Sequence, residues 1–405
     1  MPRTLAPLLL ALLLAPPPSH AKPRPKDAAD VAPQVVRLAT PASRGSMAPR
    51  LSREPGGTPI LSWVEPSETG HGLLYSRLGP EGWGKPAVAA TGSDWFVNWA
   101  DTPGVTAAAD GTLWAHWLVR SGEARYAYDA VVSSSGDGGA TWTPPRRLHD
   151  DPSAAEHGFV SMTSMGDEVV AMWLDGRAQP AGGAMSVRAR TLRGDGFGAE
   201  ALLDPRSCDC CPTSIAATKG GLVAAWRDRS AEEVRDIAVS RFIDGAWEPP
   251  RVVSRDNWRM PGCPVNGPTV VANQEFVALV WYTGVGEEGS VRFAVSNDAG
   301  ESFGQVESLS RSTLGRVTGA ALPAGGAALA WLEQRQGGDP WLTVARIDAD
   351  GAVRERVPVA PMDSARRSGM PRAIHVGGGV ILLTWTDLVG DSTRIRTAQV
   401  GPLTR

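Results

Sequence analysis

With 405 residues the chain has room for a large core, and its formal net charge of -3 excludes the broad basic surface a nucleic-acid partner requires. Beyond the amino terminus no run approaches the roughly 18 apolar residues of a membrane-spanning helix, so no membrane span is expected. Fifteen Trp against four Tyr is an unusual balance, and the tryptophans prove to be periodic.

The chain begins with a short positive region at Arg3, an apolar run from Leu5 to Leu14, and Ser19-His20-Ala21, a small-x-small site. This is the layout of an export signal cleaved after Ala21, so residues 1–21 are expected to be removed and the mature protein to be periplasmic or secreted. Residues 22–33 are polar and proline-rich, a flexible lead-in.

From residue 34 onward the chain repeats itself. Seven short apolar runs each centre on one tryptophan, Trp63, Trp117, Trp173, Trp226, Trp281, Trp331 and Trp385, at intervals of 50–56 residues. Around each lies the same order: a small-residue strand, a Gly or Asp turn, the tryptophan strand, a polar loop, a third strand, a turn and a fourth strand. No helix-period stretch interrupts the pattern. Four strands per unit and seven units predict one all-β domain over residues 34–405, a β-propeller of seven blades, with six the alternative. The last unit stops after its third strand, and Gln34–Leu38 resembles the missing fourth. The amino-terminal strand is therefore expected to close the ring and hide two sheet edges.

Two of the turns carry a motif. Ser135-Gly136-Asp137-Gly138-Gly139-Ala140-Thr141-Trp142 reads S-x-D-x-G-x-T-W, and Ser296-Asn297-Asp298-Ala299-Gly300-Glu301-Ser302-Phe303 repeats it with Ser for Thr and Phe for Trp. The Asp carboxylate can accept backbone N–H groups within a tight turn, and glycine permits positive φ. The pattern resembles the Asp box, or BNR repeat, of the sialidase-like β-propellers of the exo-alpha-sialidase superfamily. The resemblance implies the propeller fold; the box itself is a folding device and implies little about function. It also implies where a ligand would sit. Asp-box turns occupy one face of the disc, and propellers of this family bind ligands on the opposite face, where inter-blade linkers cross the channel mouth. Those linkers are long here.

Arg50, Arg316 and Arg372 occur at aligned positions in the first strands of blades 1, 6 and 7, which become neighbours on ring closure. Three guanidiniums could bind one carboxylate bidentately, and the family uses an arginine triad in this way. The YRIP or FRIP signature of the family is absent; MAPRLS is a loose analogue. Carboxylates two residues after tryptophan, Glu65, Asp175, Asp228, Glu333 and Asp387, share one side of their strands and are expected mainly as ion-pair partners between blades. The family nucleophile is a Tyr, but the tyrosines here are Tyr75, Tyr126, Tyr128 and Tyr282, with none in the closing blades. Asp94 and Asp101 are the candidates for a general acid.

Cys208, Cys210 and Cys211 lie in the linker before blade 4 and Cys263 in the linker before blade 5, so the repeat brings all four to one face. Cys263 is expected within bonding range of at least one of the others. Disulfide, redox and soft-metal use, with Cu or Zn as the ion, all remain open, and His149, His157, Asp204 and Asp209 are candidate extra ligands. The charged segment from Arg227 to Ile237 either braces these linkers or is a solvated run. The function expected is an exported propeller, monomeric, that binds an anionic ligand, a carboxylated small molecule or glycan. The alternatives are an exo-sialidase-like glycoside hydrolase and a periplasmic thiol or metal protein using the CDCC and GC loops.

Overall fold

The apolar tryptophan runs form the second strands of seven four-stranded antiparallel sheets. In Gly221–Arg227, all but the first residue are buried, and Ala327–Glu333 is buried up to its last. Such runs are continuous rather than alternating because neighbouring blades cover both faces of each inner strand. The sheets were analysed in a computed structural model that describes Met1 and residues 32–403 other than 195, 287 and 288. The proposed signal and most of the lead-in lie outside the described residues. The chain divides into Met1–Ala32 and Pro33–Arg405, and the second unit is the propeller. Among the described residues no helix is long and apolar enough to cross a membrane.

Blades 1 to 6 occupy residues 47–92, 104–147, 157–204, 214–254, 269–310 and 313–361. Blade 7 takes three strands from residues 372–401 and its fourth from Gln34–Leu38, which runs antiparallel to Ser392–Gly401 with Gln34 opposite Gly401 and Leu38 opposite Thr397. Closure is reinforced across the seam. Arg37 Nη2 donates to the Val359 carbonyl at 3.1 Å, its guanidinium sits 4.7 Å from the Trp385 ring centre, and Trp83 Nε1 donates to Thr397 Oγ1 at 3.1 Å.

The core is a ring of seven apolar clusters, one at each blade interface. The cluster between blades 7 and 1 is the thinnest, with Ala42, Leu61, Trp63 and Ile395 as its buried members. In five of the seven units the buried indole of the tryptophan strand donates to a carboxylate. Trp63 and Trp173 donate to Glu65 and Asp175 two residues on, both at 2.9 Å, and Trp331 donates to Glu333. Trp226 and Trp281 reach instead to Asp204 and Asp256, at the ends of the preceding blades, at 2.7 and 2.8 Å. The expected ring of inter-blade ion pairs is therefore replaced in part. Glu65, Asp175 and Glu333 serve the indole of their own strand, because residues i and i+2 share a strand face. Asp175 also pairs with Arg177 at 2.6 Å and Asp387 with Arg396 at 3.0 Å, each within its own blade.

The two S-x-D-x-G turns have the geometry their residues suggest. Asp137 Oδ1 accepts from the Ser135 hydroxyl at 2.7 Å and the Thr141 amide at 2.9 Å, while the Gly139 amide donates to Ser135 Oγ at 2.8 Å. In the second turn Asp298 Oδ1 accepts from Ser296 at 2.6 Å and the Ser302 amide at 2.9 Å, and Gly300 donates to Ser296 at 2.9 Å. Phe303 packs on the blade 4–5 cluster as Trp142 does on the blade 1–2 cluster. The glycine is required twice over at Gly139. Its φ is +98°, and an added Cβ would lie 1.7 Å from the Tyr75 hydroxyl of the preceding blade. Gly138, with φ +74°, has open space around it. Gly139→Ala is therefore expected to destabilise the fold by about 1–3 kcal/mol more than Gly138→Ala, from overpacking added to a common backbone strain. Equal losses in chemical denaturation would show that the turn does not brace blade 1.

Candidate functional site

On the face where blades are joined, the first strands of blades 1, 3 and 6 are interrupted. Register shifts fall between Met47 and Arg50, Gly158 and Ser161, and Gly315 and Thr318. Ala48, Phe159 and Arg316 there adopt φ of +55°, +52° and +52°. Bulges re-aim side chains, and non-glycine residues in this region cost about 1–3 kcal/mol each unless their surroundings hold them. At Arg316 the Asn266 side chain does so, accepting its backbone N–H at 2.8 Å.

The bulges set the arginines. Arg50 pairs with Ser62 and Arg372 with Thr384, each the residue before its blade's tryptophan, so these two are equivalent. In blade 6 that register position is Thr318, opposite Ala330, and Arg316 lies two residues nearer the mouth. The alignment of all three is thus corrected by the bulge, which adds residues that spacing alone does not reveal. All three nonetheless line one cavity of about 210 Å3 at the channel mouth. A wider cavity of about 620 Å3, also touching Arg50, continues along the channel towards the turn face.

Arg50 and Arg372 converge on one hydroxyl. Arg50 Nε donates to Thr102 Oγ1 at 3.1 Å and Arg372 Nη2 to the same oxygen at 3.2 Å. Arg50 lies across Gly104, where a Cβ would come within 2.5 Å of its Cδ, and reaches the Val160 carbonyl at 2.6 Å. Arg316 is differently spent. It donates to the carbonyls of Ser364 and Ala365 at 3.0 Å and of Gly369 at 3.3 Å, and to the Ser368 hydroxyl, bracing the linker between blades 6 and 7. The expected triad is therefore a converging pair with a third arginine in the wall. Among the described residues none of the three has a carboxylate within 4.0 Å. Burial pushes Arg50 and Arg316 down to about 10, opposed by the nearby charges of Asp101 and Asp363 respectively. Burial and then the Arg50 charge push Arg372 down to about 9. Polar side chains of Ser161, Thr213 and Asn266 line the remaining wall.

Thr102 and Asn266 carry no mark in the sequence; they are single polar residues in linkers. Asp101, next to Thr102, is turned away from the cavity. Tyr128 Oη donates to Asp101 Oδ2 at 3.1 Å and lies 2.8 Å from Glu156 Oε1, and its ring stacks on Phe96 at 4.1 Å. Asp101 and Tyr128 are each 1 % exposed. Burial pushes Asp101 up to about 6 against its bonds to Phe159 and Tyr128. Burial also pushes Glu156 up to about 8, with Asp101 and Asp209 adding to the rise. Asp94 is exposed, bonded only to its neighbour Ser93 through its side chain, and outside the cavity. Among the described residues neither acid candidate lines either cavity, although the Asp101 charge acts on Arg50, and no tyrosine lines either cavity.

The cysteines gather as the repeat requires. Cys210 and Cys263 form a disulfide with Cα atoms 6.1 Å apart, and Cys208 and Cys211 are buried free thiols. The sulfurs of Cys208, Cys210 and Cys211 lie within 4.8 Å of one another. The charged segment is not a solvated run. Buried Arg227 donates to the carbonyls of Asn266, Arg235 and Tyr282 at 2.6–2.8 Å. Buried Arg235 donates to Met260 and Gly262 at 3.2 and 3.1 Å, and Arg229 pairs with Asp209 at 2.8 Å. The extra ligands suggested for the cysteines are engaged elsewhere: Asp204 takes the Trp226 indole, Asp209 takes Arg229, and the histidines join Asp129. His149 Nε2 lies 3.3 Å and His157 Nδ1 3.7 Å from Asp129 Oδ1. The two rings stack at 3.6 Å with planes 6° apart, and one nitrogen of each lies with an Asp129 oxygen in a trio whose atoms are all within 4.8 Å of one another.

No protein-family model matches the sequence, and no curated protein matches it significantly. Solved structures do match. A protein of unknown function from Dyadobacter fermentans aligns over 90 % of this chain and 97 % of its own, at 12 % identity and TM-score 0.55. The polysaccharide lyase Uly1 aligns over 92 % and 99 %, at 11 % identity and 0.54, and the phage phi92 endosialidase over 92 % and 70 %, at 9 % and 0.52. At such identities the likeness is one of fold. With seven four-stranded blades, the last completed by the amino-terminal strand, the chain is a seven-bladed β-propeller similar in fold to these structures.

Proposed function

We propose that the chain is an exported propeller that binds an anionic ligand, a carboxylated small molecule or the acidic unit of a glycan, at the mouth of its channel. The observation that carries this reading is the set Arg50, Arg316 and Arg372 around one cavity of about 210 Å3 with no carboxylate of the described residues within 4.0 Å of any of them. Cations held in a concave, poorly hydrated site without a directly paired carboxylate are unfavourable, and a bound anion lowers that penalty. Arg372 spends one of its donors on Thr102, which leaves its other donors for the bidentate geometry a carboxylate accepts. The hydroxyl and amide side chains opposite suit a polyol. Two structures of this fold are named a polysaccharide lyase and an endosialidase, which makes sugar acids the first ligands to test.

Hydrolysis is not part of the reading. The Tyr128–Glu156 contact resembles a nucleophile with its carboxylate, but neither residue lines either cavity. The test is thermal shift and calorimetry with sialic and hexuronic acids beside their uncharged counterparts. The acids are expected to bind and raise the melting temperature, less so at high salt, and the neutral sugars to do neither. An Arg50→Ala variant stabilised by the acids as much as the parent chain would overturn the site.

A further inference from the structure

We propose that the four cysteines form a two-electron thiol–disulfide relay, in which the bridge Cys210–Cys263 is the surface port and the pair Cys208/Cys211 the buried store, acting on accessible disulfides of other proteins or small molecules. The layout is graded in depth. Cys263 is exposed, Cys210 half-buried, and Cys208 and Cys211 each 1 % exposed. Both buried sulfurs lie within 4.8 Å of the Cys210 sulfur, one exchange step from the bridge.

A cysteine that merely fills a core sits among apolar groups. Cys208 does not. Its ionised form is favoured, against burial, by the Cys211 S–H, the Cys210 backbone N–H and the guanidiniums of Arg227 and Arg235. Arg235 is 2 % exposed, and its Nη1 has no hydrogen-bond partner among the described residues. A buried guanidinium with an open donor, whose charge acts on the Cys208 sulfur, favours negative charge developing there. A bridge serving only as a staple between the two linkers would need neither thiol nor open donor.

The chemistry balances within the chain. The Cys208 thiolate bonds to the Cys210 sulfur, the Cys210–Cys263 bond breaks, and Cys263 leaves as a thiolate that takes a proton from water. Cys211, whose proton passes to the departing Cys210 sulfur, then bonds to the Cys208 sulfur, and Cys210 is released as a thiol. The result is a Cys208–Cys211 bridge within one linker and a free Cys210/Cys263 pair, with no change in oxidation state overall. Next, Cys263 attacks an external disulfide, expelling one thiolate, and Cys210 attacks the Cys263 sulfur of the mixed disulfide, expelling the other. The external disulfide gains two electrons and two protons, and the chain ends with two bridges.

The experiment uses the chain in its one-bridge form, confirmed by intact mass with and without alkylation, mixed with 5,5′-dithiobis(2-nitrobenzoic acid). Two aryl thiolates should be released per chain, the product should lack two hydrogens, and peptide mapping should find the Cys208–Cys211 bridge. Cys208→Ser should slow release at least ~100-fold while leaving the Cys210–Cys263 bridge intact. Wild-type protein alone, mapped by differential alkylation, should show label at Cys210 and Cys263 in part of the population. A folded wild-type chain that releases no thiolate, or that releases it without forming Cys208–Cys211, overturns the relay. So does equal release by Cys208→Ser.

Discussion

Replacing Arg372 with methionine is expected to make the ligand-free protein more stable by about 1–2 kcal/mol while lowering its affinity for a carboxylate at least ~100-fold. The two effects share one cause. Arg372 shares the Thr102 hydroxyl with Arg50, has no carboxylate within 4.0 Å, and is pushed down to about 9 by burial and by the Arg50 charge. Two like charges held at a concave wall repel each other and lose hydration, so removing one relieves the empty state. A bound carboxylate reverses the account, because it then sits between two guanidiniums, and losing one leaves a buried hydrogen-bonded anion half-satisfied. Denaturation in chloride and in a saturating sugar acid separates the two terms, since ligand stabilisation follows occupancy of the folded state. The outcome that would rule this out is a less stable variant whose response to the acid matches that of the parent chain.

Glu156→Gln is expected to flatten a fall in stability between about pH 4.5 and 8. Burial first, then the charges of Asp101 and Asp209, hold the Glu156 carboxyl at about 8 in the folded protein, against an ordinary value of 4.5. The folded state therefore binds the proton more tightly than the unfolded one. Its contribution to stability is fully present below about 4.5 and is lost as pH rises towards 8, on the order of 2–4 kcal/mol in all. Asp101, raised to about 6 from 3.8, adds in the same direction over the lower part of the range. Glutamine keeps an acceptor for the Tyr128 hydroxyl, 2.8 Å away in the parent, and removes the titration. Melting temperatures at several pH values, in both proteins, decide it: parallel curves would mean that Glu156 is ionised throughout the range.

The periodic tryptophans, the two S-x-D-x-G turns and the unpaired third strand at the carboxyl terminus were enough for the architecture. Each is a local consequence of repetition. A buried strand needs a continuous apolar run, a tight turn needs Asp and Gly at fixed positions, and a missing fourth strand needs a donor elsewhere, which Gln34–Leu38 supplies. The same periodicity brought the cysteine linkers to one face, while the choice of Cys210 as the partner of Cys263 in a disulfide was decided by the tertiary structure. The site was legible only in outline. Arg50 and Arg372 share a register, but Arg316 is displaced by a bulge, and a bulge depends on how strands pair rather than on residue spacing. Equally, no pattern distinguishes the carboxylate beside Trp63, which takes its own indole, from the one at Asp204, which takes the indole of the next blade. Hydrogen-bond partners, the burial of Asp101 and Tyr128, and the lack of a directly paired carboxylate at the arginines among the described residues are properties of side chains from different blades meeting at the axis. They arise from ring closure, which sets distances between residues that lie far apart in the chain.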